Sequence, residues 1–503
     1  MNIAHHVARV ARIDPRHPAI VFEGASIDYA TLDAHAARLA RSLKDAGIAP
    51  GDRVALYLPN VPAFPLVYLA VQRVGGIAVS LNPTLTTEEV QYILDDSGAR
   101  VVFTVGDLVR NVPRERCPAL AHVVACEGEA DGAVPLGDWM LGTSASGPMV
   151  PRKASDPAAI LYTSGTTGQP KGATLTIGNV VSNMRVTVQT MQFVREDKVV
   201  TFLPLFHVFA QNVMMNAAFE AGATLLLFRR IEPRAILRTI QEERATLLFG
   251  VATIYAAMLA MQLEDYDLTS LRYEVAGAAP LPDELVHRWL ARTGRPIYQG
   301  YGLTETSPLT NVNVADQHRI GSVGRCVSAV RVRILDTSDR EVPPGEWGEI
   351  CFRGPGVMQG YWNRPKDSAV ALRGGWLHTG DIGRLDTDGY LFIVDRVKDM
   401  INVAGLKVWP AEIEQVLYRH PDLQEAAVYA APHRLRGEQV FADVVPKANA
   451  KVTPDAILHF CRKHLAPYKV PHRVNIVDAL PKSATGKVLK RVLRERAGNA
   501  AAS

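Results

Sequence analysis

The segment YTSGTTGQPKG, residues 162–172, brings Ser164, Gly165, Thr166, Thr167, Gly168 and Lys171 within a few positions of one another. Glycines let a backbone turn tightly and bring N–H groups against an anion. The hydroxyls of Ser164, Thr166 and Thr167 can donate hydrogen bonds, and Lys171 adds a mobile positive charge. The segment therefore reads as a loop that wraps a phosphate. A Walker A loop requires G-x-x-x-x-G-K-[ST], but here Pro170 precedes Lys171 and Gly172 follows it. No G-x-G-x-x-G stands at a strand end, so a Rossmann dinucleotide site has no fingerprint either. Taken alone, the segment also reads as a glycine-rich surface loop.

The surroundings of the loop alternate between strand and helix. Before it, helical periodicity over 30–46 puts Leu32, Ala36, Leu39 and Leu43 on one face. Strands at 54–58, 77–81 and 101–104 then alternate with helices near 62–74 and 87–96. After it, strands at 224–228, 246–250 and 272–277 alternate with helices at 232–244 and 282–293. Such alternation implies parallel sheets covered by helices. From about 328 the texture changes to short strands between Gly, Pro and Asp turns (VRVRILD, GEICFRG, GYLFIVD), as in antiparallel sheet. A last block carries helices near 410–419 and 453–464 and the strands EAAVYAA and FADVVPK. We expect an N-terminal domain over 1–395 and a C-terminal domain over 396–503.

The bulk composition agrees with this division. A chain of 503 residues exceeds one hydrophobic core, since cores stop growing near roughly 250–300 residues. Lys and Arg number 55 against 51 Asp and Glu, a net charge of +4 that carries no polyanion-binding signature. The five cysteines, Cys117, Cys126, Cys326, Cys351 and Cys461, are scattered and form no CxxC pair. Neither a disulfide framework nor a structural zinc site is indicated, and a reducing cytoplasm fits best. The N-terminus lacks the apolar core of a signal peptide, and no apolar run is long enough to span a membrane.

Four further segments carry chemistry. YQGYGLTE (298–305) sets Tyr301 between glycines, where a ring can stack on a base, and ends on Glu305, whose hard oxygens suit Mg²⁺. WLHTGDIG (376–383) puts Asp381 in a tight turn, where it can accept from ribose hydroxyls. DRVKDMINVAGLKVWPAEIE spans 395–414, and LPKSATGKVLKR (480–491) sets Lys487 after a glycine. Each has a plainer reading in isolation. Glu305 is a helix-start acid, Asp381 a turn former, and Lys487 part of a solvated basic face with Lys482, Lys490, Arg491, Arg494 and Arg496. That basic tail has no aromatic interleaving, so nucleic acid is not an expected partner.

Together, and in this order, the five segments resemble the adenylate-forming (AMP-binding) superfamily, in particular its acyl-CoA synthetases. The resemblance covers nearly the whole chain. It implies an α/β fold, with a large N-terminal domain of two parallel α/β subdomains plus a small β-barrel, followed by a small mobile α+β C-terminal domain. It implies that a carboxylic acid and ATP give acyl-AMP and pyrophosphate, after which CoA gives acyl-CoA and AMP. By resemblance, Thr163, Ser164, Gly165, Thr166, Thr167, Gly168 and Lys171 hold the β- and γ-phosphates. Gly277, Ala278 and Ala279, with Tyr301 and Gly302, flank the adenine and the acyl group. Thr304 touches the α-phosphate, Glu305 ligates Mg²⁺, and Asp381 and Arg396 hold the ribose. Lys398 matches the hinge, and Lys487 the lysine that reaches the reacting carboxylate. One position departs from the pattern: Ile177 stands where a histidine is common, with Asn179 retained.

The same matching puts the acyl pocket at Phe206, His207, Phe209, Val251, Gly277, Ala279, Gln299 and Gly300. In isolation His207 also reads as a buried histidine among apolar neighbours. Gln299 and Gly300 stand where relatives acting on dicarboxylates tend to carry an arginine. An unpaired second carboxylate would cost several kcal/mol to bury. A monocarboxylic acid is therefore expected, a medium or long fatty acid first and an aryl or arylpropenoic acid next. No carrier-protein segment is expected after residue 494, and the wording of 348–365 and 401–414 resembles free-standing CoA ligases. The expected acceptor is CoA. The alternatives are a stand-alone enzyme loading a carrier protein and a non-catalytic nucleotide binder on the same fold. The latter is expected to have lost Lys487, Glu305 or Asp381, all present here. The sequence specifies no oligomeric state.

Overall fold

The computed structural model describes residues 1–142, 146–163, 169–396, 399–403, 406–433, 437–484 and 486–502, without the side chains of 437 and 498–502. Two large sheets lie side by side and share one apolar core. The first has eight strands, with Pro157–Thr163, Ile77–Ser80, Arg53–Leu56, Val101–Thr104 and His122–Ala125 running parallel through its middle. The second has nine strands and a parallel centre of Ile297–Gly302, Tyr273–Ala276, Leu247–Gly250, Lys198–Thr201 and Thr224–Leu227.

Local chemistry explains why the helices start and stop where they do. Helix Thr87–Ser97 opens on a capping box between Thr86 and Glu89 and closes on Gly98, which takes φ +62°. Helix Tyr29–Asp45 is capped by the Asp28 carboxylate, which accepts from the Thr31 N–H. Helix Ile177–Thr190 starts at Thr176, with Asn179 completing a capping box. Ile177 itself is 2% exposed and joins the main core. The residue that departs from the family pattern is thus an apolar anchor here. Asn179 also donates to the carbonyls of Pro355 and Val357 at 2.8 and 2.9 Å, tying this helix to a distant loop.

One pairing has no local signal in the sequence. Strand Pro18–Phe22 precedes the first sheet in the chain, yet it pairs in parallel with Thr224–Leu227 of the second. With Ala25–Asp28 it forms that sheet's edge. The small β unit is a four-stranded antiparallel sheet of Arg331–Leu335, Gly348–Arg353, Leu377–Leu385 and Leu391–Arg396. The C-terminal domain has its own five-stranded sheet and its own core, with Ile401, Ile413, Leu417, Val428, Val444 and Ile457 at its centre. No helix of the described residues is long and apolar enough to cross a membrane.

Beneath the second sheet, Tyr255 donates to the carbonyls of Leu248 and Val275 at 3.2 and 3.1 Å. Its ring meets Trp289 edge-on at 5.0 Å, and neither side chain reaches solvent. These contacts hold helices Ala252–Leu259 and Asp283–Thr293 under the strands that end at Gly250 and Ala276. Trp289→Ala is expected to destabilise this unit by about 3–5 kcal/mol, through lost burial and the cavity left behind. Urea unfolding followed by circular dichroism measures it.

Candidate active site

Strands Pro157–Thr163 and Lys171–Thr176 pair antiparallel, with Thr163 opposite Lys171, on either side of the segment expected to hold phosphate. Its tip, Ser164 to Gly168, lies outside the described residues. The base of the loop is held on both sides. Tyr92 donates to the Pro170 carbonyl at 3.0 Å. Lys171 Nζ lies 2.6 Å from Asp367 Oδ1 and 5.6 Å from the centre of the Tyr361 ring. The Tyr361 hydroxyl donates to Glu305 Oε1 at 2.9 Å. Two motifs far apart in sequence, the loop lysine and Glu305, thus meet through a tyrosine on the short edge strand Gly360–Tyr361, which pairs with Lys171–Thr176.

Glu305 sits in a one-turn 3₁₀ helix, Thr304–Thr306, just past the strand Ile297–Gly302. Gly302 is obligatory at this junction, because a Cβ there would lie 1.8 Å from the Pro308 carbonyl oxygen. The turn is anchored by the Met358 N–H, which donates to the Glu305 carbonyl at 2.8 Å. A partly buried carboxylate beside a phosphate-type loop is a donor set that suits a hard divalent cation. The residues present therefore fit Mg²⁺.

A second cluster gathers three further motif residues. Asp381 and Arg396 are cross-strand partners in the antiparallel sheet, and Arg396 Nε lies 3.0 Å from Asp381 Oδ1. The other carboxylate oxygen accepts from the Tyr301 hydroxyl. Asp381 is 5% exposed, and its N–H donates to Thr379 Oγ1 at 3.0 Å. Burial and the Asp381 charge together push the Tyr301 phenol well above its ordinary range, so it stays a hydrogen-bond donor. Its ring leans on Phe352 at 5.9 Å.

The acyl-pocket residues also converge. Strands Tyr273–Ala276 and Ile297–Gly302 run parallel and leave Gly277 beside Gly300. A Cβ on Gly277 would lie 3.4 Å from the Phe209 ring and 3.5 Å from the Gly300 carbonyl. Behind it, Phe209 meets Phe249 edge-on at 6.0 Å and Phe249 stacks on Phe193 at 6.1 Å, so the wall is an aromatic column. Phe206 packs partly buried on the same core, whereas Val251 is fully enclosed. The Gln299 carbonyl accepts from Asn313 at 2.9 Å. Ala278 takes φ +63° and faces solvent, and Ala279 is partly buried.

His207 lies just before the π-helical segment Phe209–Asn216, a feature often found at functional sites. Its Nδ1 accepts from the Phe209 N–H at 3.3 Å, which assigns the ring proton to Nε2. Burial, aided by the charge of Lys487, pushes its pKa down to about 4. Lys487 arrives from the C-terminal domain on a tight loop. The Ser483 N–H donates to the Lys487 carbonyl at 2.8 Å, and Gly486 takes φ +79°. A Cβ on Gly486 would lie 3.0 Å from Thr253 Oγ1 and 3.1 Å from Val251, so the residue before Lys487 packs against these two side chains. Lys398 lies outside the described residues. The sequence reading did not include Tyr361, Asp367 or Tyr92, because their side chains come from edge strands and helices without a motif of their own.

Comparison with known proteins gives the family. Residues 7–362 match the model of the AMP-binding enzyme family, and 412–487 match that of the AMP-binding enzyme C-terminal domain. The chain belongs to the AMP-binding enzyme family. A feruloyl-CoA synthase from Amycolatopsis is 39% identical over 97% of this chain and 98% of its own. A long-chain-fatty-acid–CoA ligase from Salmonella typhimurium is 35% identical over 95% and 92%. The crystal structure of ATP-bound MatB from Rhodopseudomonas palustris superposes with a TM-score of 0.92, at 34% identity over 99% of each chain. The protein is an AMP-forming acid–thiol ligase, a class that uses ATP, Mg²⁺ and CoA.

The depressed pKa of His207 has a signed consequence. In the unfolded chain a histidine takes its proton near pH 6.5, whereas the folded protein resists protonation until about 4. Between those values the unfolded state binds more protons, so stability falls as pH drops from about 6.5 toward 4. His207→Gln is expected to shrink that loss. Chemical denaturation at pH 4.5 and pH 7.5, for both proteins, measures the difference.

Proposed function

We propose that this ligase activates an arylpropenoic acid of the ferulate kind and passes it to CoA. In the first step a carboxylate oxygen attacks the α-phosphorus of ATP, giving acyl-AMP and pyrophosphate. In the second the CoA thiol attacks the acyl carbonyl, loses its proton and displaces AMP. The observation that carries the two-step reading is the approach of Gly486, the residue before Lys487, to Val251 and Thr253, with the Lys487 charge felt at His207.

The first step brings two anions together. One fixed cation at about 4 Å is worth roughly 4 kcal/mol at an effective dielectric of ~20. Felt in the transition state alone, that is about three decades of rate. We assign this role to Lys487. Thr163, Ser164, Gly165, Thr166, Thr167, Gly168 and Lys171 hold the outer phosphates, and Thr304 contacts the α-phosphate. Glu305 would hold Mg²⁺, which when bound offsets phosphate charge. Asp381 and Arg396 hold the ribose, and Gly277, Ala278, Ala279, Tyr301 and Gly302 frame the adenine and acyl group. His207, neutral near pH 7, lines the pocket without bringing a second charge to it.

The thiol must approach where Lys487 stands during adenylation. Turning the residues beyond Lys398 about that position relieves the conflict by exchanging faces. Two observations favour an aryl acid over the fatty acid put first from the sequence. The column Phe209–Phe249–Phe193 places aromatic rings behind Gly277. The feruloyl-CoA synthase also matches over nearly its full length. The long-chain-fatty-acid relatives support a fatty acid as the second reading. The unpaired cysteines suit the reducing cytoplasm proposed as its location.

The purified protein with ATP, Mg²⁺ and pooled fatty and aryl acids, with and without CoA, is expected to yield feruloyl-CoA by mass spectrometry only when CoA is present. Palmitoyl-CoA in its place would establish the second reading, and acyl-AMP accumulating in both tubes would point to a carrier protein. Lys487→Ala is expected to lower acyl-AMP formation about a thousandfold while sparing thioester formation from supplied acyl-AMP. Quenched half-reactions measure both.

A further inference from the structure

Helix Lys490–Ala502 follows the Lys487 loop, and its first residue reaches the end of strand Leu391–Arg396. Lys490 Nζ lies 2.9 Å from Glu414 Oε1 and 3.7 Å from Asp395 Oδ2. The three side chains are only 18, 11 and 9% exposed. The carboxylates are held from other directions as well. Glu414 Oε1 accepts from the Val428 N–H at 2.7 Å. Asp395 accepts from the N–H groups of Arg396 and Ala411, at 2.8 and 3.2 Å. One turn along the same helix, Arg494 pairs with Asp399 at 2.8 Å. A buried ammonium shared between two buried carboxylates is costly to break, because each partner left behind is an unpaired charge.

The cluster straddles the proposed domain boundary. Asp395 ends the larger unit, next to Arg396 and its contact with Asp381, whereas Glu414 and Lys490 belong to the smaller one. We infer that Lys490 is a positioning residue that stabilises the adenylating arrangement by gripping Asp395 across the hinge. The inference rests on the proposed roles of Asp381, Arg396 and Lys398. When the small unit turns, Lys490 and Glu414 travel with it and Asp395 stays. The ion pair therefore exists in one arrangement and is lost in the other, and such a differential contact shifts the balance between two states. Lys490 also keeps the strand end, and with it Arg396, in register against Asp381.

Lys490→Met tests this in separate half-reactions, with whichever of ferulate or palmitate the enzyme turns over. Acyl-AMP formation is expected to fall about tenfold with a raised KM for ATP, within the usual range of coupling between two sites. Thioester formation from supplied acyl-AMP is expected to be unchanged or faster, and Lys490→Arg to restore the first half. Equal loss in both halves, or none in the first, would overturn the inference. If Lys490→Met does not fold, Lys490→Met/Glu414→Gln removes the orphaned carboxylate and is read the same way. Asp381→Asn is assayed alongside. An unchanged KM for ATP in that variant would remove the ribose assignment itself. A raised KM there, with none for Lys490→Met, would remove the role of Lys490 alone.

Discussion

One carboxylate joins the parts of this molecule that must agree for the site to exist. Asp381 accepts from Tyr301 on the second parallel sheet and pairs with Arg396 on the neighbouring antiparallel strand. That strand leads into the C-terminal domain. Two sheets and a connection therefore meet at a side chain that is nearly out of solvent. A buried carboxylate needs such partners, since an unpaired one costs several kcal/mol. Under the proposed ribose role, a ligand with two neighbouring hydroxyls would meet a carboxylate whose partners are already aligned.

The parts of the fold legible in the sequence are those built from local pattern. The strand runs VVFT and TLLLF carry their own signals, because burial on both faces leaves marks within a few residues. The motif residues were legible through their order along the chain. What stayed hidden was set by distance in sequence. Nothing near Tyr361 shows that it links Lys171 to Glu305, and nothing near Asp367 shows that it faces the loop lysine. Those contacts depend on the two-residue edge strand Gly360–Tyr361, too short to show a period.

Ile177 illustrates how a departure from a family pattern can be absorbed. A side chain entering the main core beside Val180 and Val181 gains from being apolar. The side-chain polar work at that helix start is done by Thr176 and Asn179, each accepting from the other's N–H. Asn179 further grips the 355–357 segment, so the link between this helix and the loop preceding Tyr361 does not need the histidine.

The strand at Pro18–Phe22 has a consequence for how the chain is made. It leaves the ribosome well before its parallel partner, Thr224–Leu227, which emerges about 200 residues later. At synthesis rates of roughly 5–20 residues per second, that is an interval of some 10–40 s. Throughout it, the apolar run AIVF has its own hairpin partner but no sheet to join. Most strands of the first sheet can pair meanwhile, although its edge strand Gly360–Tyr361 comes later. The edge of the second sheet cannot, because Pro18–Phe22 must wait for Thr224–Leu227. Vectorial synthesis thus gives this protein a waiting edge, a period in which a chaperone has something definite to cover.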